Sequence, residues 1–288
     1  MTEGWRCDGV RWEGGGPGVG WGGGKVSALR RGAWVGFVAR GVRRCTGARG
    51  NACPVRAEIG GRITGARCEE CARLDRMHSV AADTLADDPR PYAVYLAWFG
   101  PGLVKVGITR ADRGSARLLE QGAVAFTWVG RGPLMAARRA EETARAGLGI
   151  PDRVPYERKR LVRGRLPAAG ERRFEVEELY GRVVGLAGWP EALEAAPCAV
   201  VDHGEVFGVD EVPVATGVVS ELVTDGRVGG ELLAVAGPDL HLRVEGGGVL
   251  VVDTRLLRGW RLGPAREPGV TVPVRAVGGE QRPQEGLF

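Results

Sequence analysis

Between residues 92 and 148 the alternation of apolar and polar positions changes period in a definite order. Tyr92–Phe99 and Leu103–Thr109 are apolar runs with strand character, and Gly100-Pro101-Gly102 between them supplies a turn, so this stretch predicts a β-hairpin. Ser115–Gln121 follows as a short helix closed by Gly122, and Ala123–Val129 as a third strand. Leu134–Leu148 carries apolar residues at helical spacing, opened by Pro133 and flanked at its end by Gly147, Gly149 and Pro151. The predicted order is β-β-α-β-α. A basic stretch, Arg153–Arg165, comes next, then a helix predicted over Glu171–Ala187.

On either side the pattern is that of β structure. Residues 1–44 mix glycine and tryptophan with short apolar pieces such as Ala33–Ala39, which predicts a few strands. Gly18–Gly23 fits the spacing G-x-G-x-x-G, but no helical pattern follows it, and Gly24-Lys25 is followed by Val26 where a phosphate loop needs a hydroxyl. Neither is read as a nucleotide site. Residues 79–91 read as a connector ending in prolines. From Ala199 strands recur at Val218–Val223, Gly230–Val235, Leu240–Val244 and Val249–Asp253, with Asp-Gly, Gly-Pro and Gly-Gly turns between them. That spacing predicts a small all-β barrel or sandwich with negligible helix, and an extended tail after Gly263.

Length and composition set bounds on these elements. A chain of 288 residues with 44% hydrophobic content can build two or three cores. The division expected is an N-terminal β segment over 1–88 with a zinc ribbon at 45–71, a central unit over 90–188 with a basic helical extension, and a C-terminal β unit over 196–275. No run approaches 18 apolar residues and no secretory leader precedes the first strands, so a cytoplasmic, non-membrane protein is expected. In that compartment clustered cysteines act as metal ligands rather than disulfides. Four of the six cysteines, Cys45, Cys53, Cys68 and Cys71, fall within 27 residues. The Cys68/Cys71 half has knuckle spacing, and Gly47, Gly50, Asn51 and Pro54 let the wider Cys45/Cys53 loop bulge. Two hairpin-borne pairs would give zinc four thiolates and no open position, hence a structural site; His78 is the nearest substitute ligand. Cys7 and Cys198 stand alone.

Charge is unevenly distributed. Residues 196–288 hold 8 Arg against 13 acidic residues, a net of −5, so with +5 overall the first 195 residues carry +10. An anionic partner is expected to meet that larger part. Lys25, Lys105 and Lys159 are the only lysines in a chain otherwise rich in arginine.

The hairpin and helices carry a further pattern. Val94-Tyr95-Leu96-Ala97, Lys105-Val106-Gly107-Ile108-Thr109-Arg110, Arg117, Glu120-Gln121-Gly122-Ala123 and Glu141 succeed one another in an order that resembles the GIY-YIG nuclease-like domain. With the cysteines, residues 40–155 are similar to an uncharacterised bacterial family that joins a zinc ribbon to such a domain. Ala93 stands at the first glycine of GIY, Lys105 at the tyrosine of YIG, and the single Asn of the chain is Asn51. The resemblance implies an α+β fold with a GIY-YIG-like core and metal-dependent phosphodiester hydrolysis on DNA or RNA. It implies that Tyr95 positions or deprotonates a water and that Lys105 offers charge in place of a phenol. It implies further that Arg117 grips the phosphate and Glu141 holds Mg²⁺ or Mn²⁺. The residues themselves place Glu141 rather than Glu142 on the apolar stripe of Leu134, Ala137, Ala144 and Leu148, where a lone carboxylate wants a metal or a cation. Two other outcomes fit the same sequence: a zinc-containing nucleic-acid-binding protein without catalysis, or a protein-interaction scaffold.

Overall fold

The computed structural model describes residues 4–13, 16–77 and 88–277. Its elements are β1 (Trp5–Glu13), β2 (Gly16–Trp21), β3 (Val26–Ala28), β4 (Trp34–Arg40), α1 (Glu69–Arg76), β5 (Tyr92–Gly100), β6 (Leu103–Arg110), α2 (Ala116–Gln121), β7 (Ala125–Gly132), α3 (Leu134–Leu148), α4 (Tyr156–Val162), α5 (Ala169–Val184), β8 (Glu194–Ala195), β9 (Val201–Asp202) and α6 (Gly204–Phe207). After them come β10 (Gly217–Val219), β11 (Arg227–Ala236), β12 (Asp239–Arg243), β13 (Val249–Asp253), β14 (Arg261–Pro264), β15 (Gly269–Val270) and β16 (Val274–Ala276). This is a mixed α+β fold with more strand than helix. Among the described residues no helix is long and apolar enough to cross a membrane.

The β-β-α-β-α order appears between residues 92 and 148. Strand β5 lies between β6 and β7, and all nine of its residues are buried. Such a strand needs apolar side chains on both faces, and Tyr92–Gly100 has them. Tyr92, Val94 and Leu96 face α3, packing with Leu134, Ala137, Ala140 and Ala144. Tyr95, Ala97 and Phe99 face the other way, onto Leu118 of α2 and Phe126. Left-handed glycines end both helices, Gly122 after α2 and Gly149 after α3, as their sequence positions predict. The basic stretch folds as α4, and the helix predicted over Glu171–Ala187 is α5, starting at Ala169.

The N-terminal and C-terminal β regions, set apart on sequence, share one eleven-stranded sheet. Its order is β16-β10-β13-β12-β11-β4-β14-β1-β2-β3, with β15 also on β11. Strand β4 is the splice, pairing with β11 over Trp34–Val38 and with β14 over Phe37–Arg40. Strand β4 follows β1, β2 and β3 in the same N-terminal stretch, yet takes both of its partners from the C-terminal stretch. The tail expected to be extended after Gly263 instead donates β15 and β16 to the same sheet. One helical turn, α6, interrupts the region expected to be all strand. The G-x-G-x-x-G match falls on β2 and the turn after it, with no helix following.

Two knots of buried charge join the parts. From α4, Arg160 pairs with Asp239 (2.7 Å) and Asp253 (2.6 Å), and Arg163 pairs with Asp239 (2.7 Å), all with side chains at most 6% exposed. Arg43, also buried, donates to the carbonyls of Gly60, Ile63, Arg255 and Arg258. The first ties α4 to β12 and β13. The second ties the segment before the cysteines to the loop after β13.

Candidate zinc centre and basic cleft

Cys45, Cys53, Cys68 and Cys71 form a cluster whose sulfurs all lie within 4.8 Å of one another. The Cys53 and Cys68 sulfurs are 3.9 Å apart. Zinc–thiolate bonds of about 2.3 Å require tetrahedral edges of about 3.8 Å, so four thiolates at this spacing can hold a zinc ion. The backbone is arranged for negative sulfur: Gly47 N–H and Cys68 N–H donate to Cys45 Sγ at 3.3 and 3.2 Å. Backbone donation from Ala57 and then Val55 holds the Cys53 thiol down to about 7, whereas burial and its three neighbours push Cys71 up. One expectation changes. Cys71 sits in the first turn of α1 and Cys68 immediately before it, so this half of the site is a loop entering a helix rather than a hairpin. His78 and most of the predicted connector 79–91 lie outside the described residues.

Beside the cluster are two cavities of about 850 and 780 Å³ that meet at Arg117, Glu120, Tyr156 and Arg255. The first lies between β6, α2, α4 and the strands β10 and β13. The second runs along β1 to Thr46, Gly47, Arg49, Gly50 and Arg67, so the loop bearing the cysteines forms one of its walls. Basic side chains outnumber acidic ones eight to four in the first cavity and six to three in the second. The C-terminal region contributes Arg255, Arg258 and Arg275 despite its negative total. Net charge by segment did not reveal that.

Of the four residues proposed for chemistry, two line this cleft and two do not. Lys105 and Arg117 line the first cavity. Arg117 is exposed on α2, with Glu120 3.7 Å away. Lys105 Nζ donates to the Asp152 carbonyl at 2.9 Å and lies 5.5 Å from the centre of the Tyr95 ring. Tyr95 is buried behind them, its hydroxyl accepting from Gln121 Nε2 at 3.1 Å. Gly107 is opposite Tyr95 on β6, and a Cβ there would come 2.5 Å from the phenol oxygen, which accounts for glycine at that position of the motif. Glu141 lines neither cavity. It is half-buried on α3, on the sheet face opposite Tyr95. Burial raises its carboxyl pKa, and the charge of Lys105 is the strongest influence opposing that rise.

Sequence reasoning did not single out Lys159, Tyr156 or Arg255. Lys159 is 3% exposed in the wall of the first cavity, and Arg255 stacks 4.0 Å over the Tyr156 ring. The one available signal was a lysine in a chain that otherwise uses arginine.

No curated protein and no solved structure matches this chain. A family match covers residues 52–262, which takes in three of the four clustered cysteines, the five-stranded unit, β10 to β13 and the first half of β14. The family is described as a protein of unknown function, DUF2797, and this chain belongs to it.

Proposed function

We propose that this protein binds nucleic acid through its phosphate backbone, in the double cleft between the cysteine-bearing loop, α2, α4 and the C-terminal strands. The observation that carries the reading is the excess of arginine and lysine along two contiguous cavities, with Arg117 at their junction. A row of cations fixed by a folded wall releases counterions from a polyanion on contact, which supplies affinity without sequence readout. In this reading zinc, held by Cys45, Cys53, Cys68 and Cys71, is structural: with four thiolates it keeps no open position and serves to set the loop carrying Arg49 and Arg67. The test is binding of labelled single- and double-stranded oligonucleotides over a range of salt. Arg117→Ala and Arg153→Ala should each weaken binding and flatten the logarithmic salt dependence by about one. Arg139→Ala, exposed on α3 and away from the cleft, should leave both unchanged. No binding at low salt would refute the proposal.

A second reading, metal-dependent phosphodiester hydrolysis at a GIY-YIG-like site, is supported by the electrostatic coupling of Glu141 to Lys105 and by the ββαβα order that carries both. Here Tyr95 and Lys105 would handle water and charge, Arg117 the phosphate, and Glu141 the magnesium or manganese ion. Glu141→Gln keeps the shape and removes the charge; it should lower cutting by about 10²-fold or more while binding survives. Equal cutting by wild type and Glu141→Gln would remove Glu141 from the reading.

A further inference from the structure

Lys159 is the most deeply placed amine of the cleft. One of its N–H groups donates to the Gln121 carbonyl at 3.0 Å, and the rings of Phe99 and Tyr156 are centred 3.7 and 4.3 Å from Nζ. Among the described residues no carboxylate lies within ion-pairing distance of it. The nearby carboxylates are already taken, Asp239 by Arg160 and Arg163, and Asp253 by Arg160 and Arg255. Burial first, then the charges of Arg163 and Lys105, bring the Lys159 ammonium down to about 6. Burial favours the neutral amine, which carries a nucleophilic lone pair, while guanidinium groups beside it stay charged. The cavity thus sets one nucleophile among several phosphate-binding cations.

We propose that Lys159 is a nucleophilic amine that forms an imine with the sugar aldehyde of an abasic site in a nucleic acid bound in the cleft. The assignment rests on the nucleic-acid reading above and goes beyond it by naming the substrate and the reacting atom. An abasic sugar suits the place because it needs no pocket for a base, only a small space beside cations that hold the flanking phosphates, and Arg117 and Arg153 line the same cavity. The Nζ lone pair attacks the aldehyde carbon, and the carbinolamine loses water to give the protonated imine. A proton then leaves the adjacent sugar carbon to water, the carbon–oxygen bond to the 3′ phosphate breaks, and the phosphate departs with that electron pair. Hydrolysis of the remaining imine returns the free amine. No oxidant, reductant or metal enters the balance.

The test incubates the full-length protein with a single-stranded oligonucleotide carrying one abasic site, adds sodium cyanoborohydride, and maps the adduct by peptide mass spectrometry. Binding of an intact oligonucleotide of the same sequence is measured in parallel. The expected adduct is on Lys159, exceeding that on Lys105, Lys25 or the N-terminal amine by about tenfold or more. Lys159→Arg should lose the adduct, whereas Arg139→Ala, away from the cleft, should keep both the adduct and binding of the intact strand. Mapping on the wild type needs no variant, so a variant that folds poorly does not decide the matter. If both strands bind but no adduct forms, or it forms on another amine, Lys159 is a buried structural ammonium and the proposal is overturned. If neither strand binds, the nucleic-acid reading itself fails and takes the abasic assignment with it.

Discussion

The two sheets of this protein are built by opposite strategies. The five-stranded unit is drawn from one continuous stretch, residues 92–202, and its central strand β5 pairs with the next strand, β6, and with the one after it, β7. The eleven-stranded sheet is assembled from both ends of the chain, with β4 held between β11 and β14 from more than 180 residues away. The first puts its information into local periodicity and turns. The second puts it into long-range complementarity, which no window of sequence displays. The cleft lies where the two meet, so its chemistry is shared between residues that could not be associated by reading along the chain.

The contrast can be broken most severely by truncation. Removing residues 196–288 takes both partners from β4, β14 from β1 and the carboxylates from Arg160 and Arg163, so the remainder should show no cooperative melt by circular dichroism. A folded truncation would show the five-stranded unit to be independent after all. Next in size is the charge knot. Asp239→Asn leaves two buried guanidiniums short of a counter-charge, and breaking such a pair costs about 3–5 kcal/mol. Urea denaturation should read it as a lower midpoint, and an unchanged midpoint would mean that α4 is not locked to β12.

A titration sharpens the same seam. His241 is buried on β12 with neither ring nitrogen bonded, and burial followed by the charge of Arg163 lowers its pKa to about 3. The unfolded chain takes up this proton near 6.5 and the folded chain does not. Stability from this group is therefore complete above 6.5 and declines as pH falls toward 3, by about 1.4 kcal/mol per pH unit within that window. His241→Leu should flatten this part of the stability–pH curve relative to wild type; curves that stay parallel would refute it. The smallest effect belongs to the local unit: Gly107→Ala crowds the Tyr95 phenol and should cost about 1–3 kcal/mol, measured by thermal melting.

How much was legible follows from the same division. The hairpin, α2, α3 and their glycine caps could be read because each is specified within a few residues. The cysteine cluster could be read because thiols at knuckle spacing have few other uses, although the helical start at Cys68 could not. The splice through β4 was hidden because Trp34–Arg40 looks the same whether its partners are near or far. Lys105 and Arg117 were singled out through motif order, and both line the first cavity. Lys159 and Arg255 were missed since their meaning depends on packing against Phe99, Tyr156 and Asp253. The segment total for residues 196–288 did not disclose that Arg255, Arg258 and Arg275 line the cavities.

Arg43 gives the cysteine loop and the C-terminal strands a shared fate. Its guanidinium is bonded to carbonyls on both sides, and Cys45 is only two residues further along the chain. Arg44 N–H also reaches the Gly259 carbonyl at 3.0 Å. If the cluster binds zinc, metal affinity and sheet stability become reciprocal quantities: whatever tightens one tightens the other by the same free energy. Chelation should therefore speed amide exchange in residues 255–260, and destabilising β13 should release metal more readily. Metal occupancy would then report on whether the two ends of the chain have found each other.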